Sequence, residues 1–165
     1  MSTTNGGPAA PAAHNVQPLL NVVAQYIKDF SFENPNAPRS FAPQQQAPNI
    51  SIQVNVNARQ LGPTDYEAVL VLEGGAGEGQ NTLFKFELNY AGVFRIENIP
   101  ADQLQRVIMV EGPRLLFPFA RQIIAEAVRS GGYPPLYVDP IDFNALFFQR
   151  VAGANAAAAP TAGVA

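Results

Sequence analysis

The chain has no cysteine and no tryptophan, and only one histidine. Disulfides, thiol nucleophiles and cysteine-built metal sites are thereby excluded, and a chain without thiols suits a reducing compartment. His14 falls in a Gly-, Pro- and Ala-rich opening stretch that offers nothing to position a base or a ligand. Zinc sites made from Cys and His cannot be assembled. Positive charge is also sparse: ten Lys and Arg stand against thirteen Asp and Glu, for a net charge of −3, with no basic cluster. Nucleic acid is therefore not an expected partner. No apolar run approaches the roughly 20 residues that span a bilayer. The opening "MSTTNGGPAAPAAHNVQP" has neither the basic start nor the apolar stretch of a secretory signal. A cytoplasmic protein without direct membrane insertion is expected. "GGAGEGQ" lacks the Lys-Ser/Thr that follows in a phosphate loop and reads as a flexible hairpin loop. With so few groups that can be poised near neutral pH, neither an enzyme nor a cofactor is expected.

What is present is apolar and aromatic. Of 165 residues, 47% are hydrophobic, including eleven Phe and five Tyr. That suffices for one domain with an ordinary core. Residues 1–18 and 151–165 lack hydrophobic period and read as a disordered leader and a disordered Ala-rich tail, leaving a single domain at 19–150. "NISIQVNVN" alternates strictly, with Ile50, Ile52, Val54 and Val56 on one face of a strand. "DYEAVLVLE" and "NTLFKFELNY" follow across short connections as an antiparallel meander, and "YIKDFSFE" ahead of them makes a fourth strand. "ADQLQRVIMV" places Leu104, Val107 and Ile108 at helical spacing, and "PRLLFPFARQIIAEAVRSGG" forms a longer amphipathic helix that Gly131 and Gly132 stop. Pro118 must either begin the regular part of that helix or kink it. "NALFFQRV" forms a last short helix. Strands first and helices second give an α+β fold, a four-stranded antiparallel sheet with helices packed on one face.

Side-chain parity assigns Phe30 and Phe32 to the helix side of the sheet and Asp29, Ser31 and Glu33 to the other. The same alternation in the later strands gathers Asp29, Glu33, Glu67, Glu73 and Glu87 on the outward face against a single Lys85. Two readings stand: a solvated sheet surface, or a docking platform for a basic or zinc-containing partner. The apolar surplus likewise suits an oligomer interface or a groove for unfolded chain.

"YIKDFSFENPNAP", "FRIENIP", "LLFPFAR", "RSGGYPPL" and "VDPIDFNALF", in this order and spacing, resemble the SecB family of bacterial protein-export chaperones over about Val22 to Arg150. The resemblance implies a cytoplasmic homotetramer, a dimer of dimers, that holds unfolded precursor proteins without ATP and delivers them to the SecA motor. Motif by motif it places SecA binding on Asp29, Glu33, Glu87 and Lys85, where the family commonly has an apolar residue at the Lys85 position. It places a client groove on Phe41, Ile50, Ile52, Val54, Leu136, Tyr137 and Phe143. It implies an oligomer interface on Leu104, Val107 and Ile108. The crossover loop carries the Gln-rich "PQQQAP" where an aromatic residue is often found in the family. Two alternatives share these residues: a SecB-like chaperone of a toxin and antitoxin pair, and an oligomeric adaptor that is no chaperone.

Overall fold

The computed structural model describes residues 16–158. Four strands, β1 (Leu19–Glu33), β2 (Ile50–Gln60), β3 (Asp65–Ala76) and β4 (Phe84–Glu97), form one sheet in the order β1-β4-β3-β2, and every neighbouring pair is antiparallel. The meander of β2, β3 and β4 follows its tight connections: Leu61 N–H donates to Asp65 C=O at 2.8 Å across the turn between β2 and β3. The crossover after β1 carries the chain past two strands to the opposite edge. Gly74 and Gly75, expected in a loop, belong to β3. The turn beyond them uses Gly77 and Gly79, both at positive φ, which glycine adopts without steric cost.

β1 begins seven residues before the strand read from the sequence. Two register shifts, between Val22 and Ala24 and between Ile27 and Asp29, break its period, so "LLNVVAQ" shows no clean alternation. The second bulge matters most. Ile27 pairs with Tyr90 and Asp29 with Asn89, so Lys28 is the extra residue.

The helical region is one continuous run rather than two separate helices. α1 (Ala101–Arg106) passes through a π turn (Val107–Glu111) directly into α2 (Gly112–Ser130). Pro113 has no N–H to give the carbonyl of Met109, and the ladder widens at that point. Pro118 lies inside α2 on its exposed side, so the Arg114 carbonyl that it leaves unpaired faces water. α3 (Phe143–Ala158) extends past Arg150 into the segment assigned to a tail. Alanine, the strongest helix former, makes up much of that extension. Residues 159–165 and the leader through residue 15 lie outside the described residues.

The core forms between the inward sheet face and the helical run. Tyr66, Ala68, Leu70 and Leu72 of β3 and Phe84, Phe86, Leu88 and Phe94 of β4 pack with Ile108, Val110, Leu116, Ala120, Ile124 and Val128. Gly92 lets α2 lie close to β4, since a Cβ there would come within 2.8 Å of Leu116 Cδ2.

Candidate functional site

The outward sheet face carries the expected carboxylates at defined register positions. Asp29 lies opposite Asn89, Ser31 opposite Glu87, and Glu33 opposite Lys85. On the other side of β4, Glu87 lies opposite Glu73. Like charges directly opposed across antiparallel strands cost roughly 0.2–1 kcal/mol. Glu33, Glu73, Glu87 and Lys85, together with Ser51 and Gln53, line a cleft of about 420 Å³. Gly75 hollows its floor, and the position admits no other residue, because a Cβ there would sit 2.4 Å from the Phe84 carbonyl. Asp29 stands beyond the cleft, two residues along β1 from Ser31.

Two features of this face differ from the parity reading. Lys28, which strict alternation puts with Phe30 and Phe32, is turned outward at the bulge, and Arg59 arrives from β2 opposite Glu67. Both reach Glu67, so Lys85 is not the only cation there. Glu67 is itself buried, at 1% exposure, and is not part of an open acidic field. Its carboxylate accepts from the Tyr26 hydroxyl, from Lys28 Nζ at 3.0 and 3.1 Å, and from Arg59 Nε. Ala91 of β4 is small enough for the β1 side chains to reach across it to β3. Burial alone would push the Glu67 carboxyl up, but hydrogen bonds from Tyr26, Arg59 and Lys28 outweigh it and hold the group at about 2. The bond to Glu67, helped by burial, raises the Tyr26 hydroxyl.

The residues expected in the client groove occupy separate settings. Ile50 is half exposed at the free edge of the sheet, and Ile52 and Val54 pack partly against the core. Their backbone orientation follows from two fixed points. Asn49 C=O accepts from Gly77 N–H at 2.9 Å, so odd-numbered residues of β2 face β3. Val56 turns the other way: its N–H bonds Asn55 Oδ1 and its C=O bonds Arg150 Nη1. Backbone direction alternates along an antiparallel strand, so the N–H and C=O groups of Ile50, Ile52 and Val54 point off the edge. Phe41 sits at the far end of α2, its ring tilted against that of Tyr133 at 5.3 Å between centroids, and Tyr133 in turn lies 5.2 Å from Phe84. Tyr133 accounts for the order of that corner, since its hydroxyl bonds Ser40 at 2.8 Å, Asn34 Oδ1 at 2.9 Å and the Leu83 carbonyl at 3.1 Å. Tyr137 is exposed with Arg121 over its ring, and Leu136 packs partly against the core.

Phe143 is buried at 2% exposure against Phe117 and cannot line an open groove. Leu104, Val107 and Ile108, expected at an oligomer interface, also turn inward: Ile108 is buried and the other two pack on the core. Leu104 and Val107 keep part of their surface exposed. An open apolar surface lies along the β1 edge, where Ile27, Phe30, Tyr90, Phe119 and Ile123 line a groove of about 560 Å³. Of the "LLFPF" run, Leu115 and Phe119 are exposed while Leu116 is buried in the core, and only Phe119 lines this groove.

Among the described residues, no group of three or more His, Cys, Asp or Glu is placed to hold a metal ion, and no helix is long and apolar enough to cross a membrane. His14 lies outside them. An open sheet edge with apolar side chains, an acidic cleft on the opposite face and an apolar strip beside the long helix define a protein of the binding kind, an α+β module built for macromolecular surfaces.

The family described as preprotein translocase subunit SecB matches residues 13–154. The chain is 67% identical over 134 residues to the protein-export protein SecB of Beijerinckia indica, covering 81% of this chain and 84% of that one. It is 61% identical to the namesake in Methylocella silvestris, covering 88% and 90%, and 55% identical to that of Rhodopseudomonas palustris strain HaA2, covering 98% and 100%. The chain belongs to the SecB family and is a protein-export chaperone. Among solved structures, a Mycobacterium tuberculosis SecB-like chaperone in complex with an antitoxin peptide superposes with a TM-score of 0.61 at 12% identity, covering 74% of this chain and 90% of that one. At that identity the likeness concerns the fold alone.

Proposed function

We propose that this protein holds precursor chains unfolded, without ATP and without enzymatic chemistry, in the cytoplasm, and passes them to the SecA motor. The observation that carries the proposal is the β2 edge. Ile50, Ile52 and Val54 combine apolar side chains with outward-pointing backbone groups, and no side chain caps those groups among the described residues. An extended segment of non-native chain pairs its backbone with such an edge and places alternate side chains against the apolar face. A folded protein keeps most of its strands paired and its edges short or protected, so it has far less to offer such an edge. Apolar burial contributes roughly 25 cal/mol per Å², offset by the entropy of ordering the client. Phe41, Leu136 and Tyr137 extend the apolar surface at the crossover corner.

Docking of SecA falls to the outward face. Asp29, Glu33 and Glu87 present the negative field, Glu73 adds to it, and Lys85 tempers it. The opposed Glu73 and Glu87 carry a repulsion that a cationic partner relieves. A homotetramer uses the apolar strip along β1 and α2, and the parts of Leu104 and Val107 that the core leaves uncovered are also open to a partner. Several edges in one assembly multiply weak client contacts through effective concentration.

The test is light scattering of a slowly folding precursor diluted from denaturant with no nucleotide present. Aggregation is suppressed at about one tetramer per client, and Ile52→Asp weakens the suppression. Undiminished aggregation at stoichiometric tetramer sinks the proposal and favours the adaptor reading.

A further inference from the structure

The free edge of β2 does not run its full length. Both outward backbone groups of Val56 are occupied from within the chain: its N–H by Asn55 Oδ1 at 2.9 Å and its C=O by Arg150 Nη1. These two side chains come from different elements, β2 and α3, and converge on one residue. Val56 is buried, and Leu146, Phe147 and Arg150 of α3 line a cavity against it. Three residues of open edge therefore precede Val56, and none of them is capped in this manner among the described residues.

We propose that Asn55 and Arg150 form a stop that ends strand addition at Val54, so that only a short extended client segment pairs with Ile50, Ile52 and Val54. The proposal rests on the edge-capture reading above and specifies its limit. A client strand that continued past Val54 would meet an N–H that already has its acceptor and a C=O that already has its donor. Displacing them would only exchange hydrogen bonds already made for new ones, with no net gain to reward a longer pairing. A capped site in mid-edge also blocks edge-to-edge pairing between copies, the hazard of a long regular edge strand. Short, backbone-led pairing has a consequence for selectivity. It grips many unrelated sequences weakly and leaves each client segment free to leave.

Residues on the stop are positioning residues, and the readout must report where pairing ends rather than how tightly the client binds. Amide hydrogen exchange is measured residue by residue on the full chain, free and bound to reduced, carboxymethylated lactalbumin, which stays unfolded. In the unsubstituted protein, client binding slows exchange at Ile50, Ile52 and Val54 by about tenfold or more and leaves Val56 and Ala58 unchanged. Asn55→Ala frees the N–H and Arg150→Met frees the C=O while keeping most of the apolar stem. In the double variant, client-dependent protection spreads to Val56 and Ala58. Each single variant provides a folded fallback, and circular dichroism checks that α3 remains in place. Protection that already includes Val56 and Ala58 in the unsubstituted protein overturns the stop. Protection that still ends at Val54 in the folded double variant overturns it too. Loss of the Ile50 to Val54 footprint altogether, with client still bound, overturns edge capture itself and the stop with it.

Discussion

Glu67→Gln tests the least expected feature of the molecule, a buried carboxylate on the outward side of the sheet. The group titrates at about 2 in the folded chain against 4.5 for an ordinary glutamate. A tenfold change in proton affinity corresponds to about 1.4 kcal/mol, so the ceiling on its contribution is about 3 kcal/mol. Its two cations are well exposed, Lys28 at 42% and Arg59 at 66% of their side chains. Water and salt screen them, and they can turn outward once the carboxylate is gone, so a loss of about 2 kcal/mol at pH 7 is expected. A carboxyl with a depressed pKa stabilises the fold fully above its unfolded value and loses that contribution as pH falls through the folded one. The advantage of the unsubstituted protein over the variant is therefore complete above about pH 4.5 and fades towards pH 2. Asp65 and Glu126 are also lowered, by hydrogen bonds from Arg95 and Arg129, but they are common to both proteins and cancel in the difference. The assay is urea unfolding followed by circular dichroism at one protein concentration, because assembly adds concentration dependence. A difference under about 0.5 kcal/mol at pH 7, the usual range of a neutral surface change, would refute the reasoning. So would a difference that persists undiminished at low pH.

Other expectations follow from the same geometry. Glu73→Gln removes one of two opposed carboxylates, so urea unfolding should show a gain of about 0.5 kcal/mol while calorimetry shows weaker SecA docking. Glu87→Lys should weaken docking by about tenfold or more in the same titration, and Lys85→Leu should strengthen it severalfold at moderate salt. Gly132→Ala places a Cβ at φ +92° and within 2.8 Å of the Phe41 ring. Thermal melting should report a loss of about 1–2 kcal/mol, and client affinity should fall as Phe41 is displaced.

The sheet and the outward face are legible in the sequence to different depths, for physical reasons that particular residues show. β2 is readable almost residue for residue, since Ile50 to Val56 alternate without interruption. Asp29, Glu33 and Glu87 share a face as parity requires. β1 is recognisable only in its second half, because bulges at Val23 and Lys28 shift the period and carry Lys28 to the face that parity denies it. From that bulge follows the burial of Glu67, which no spacing in the sequence displays. Helical period in Leu104, Val107 and Ile108 marks an apolar face correctly but cannot say whether the chain itself or a partner covers it. Phe143 poses the same ambiguity in a segment broken by proline. The stop at Val56 joins residues 55 and 150, and no local pattern connects positions so far apart.

Recognition of non-native chain is the central claim, and paired calorimetric titrations test it most directly. One precursor is offered to the assembled protein twice, once folded and once held unfolded by reduction, at the same concentration and without nucleotide. Capture at the β2 edge predicts saturable binding of the unfolded form, a negative heat-capacity change from apolar burial, and no heat above dilution from the folded form. Equal binding of both forms, or none of the unfolded one, would contradict it.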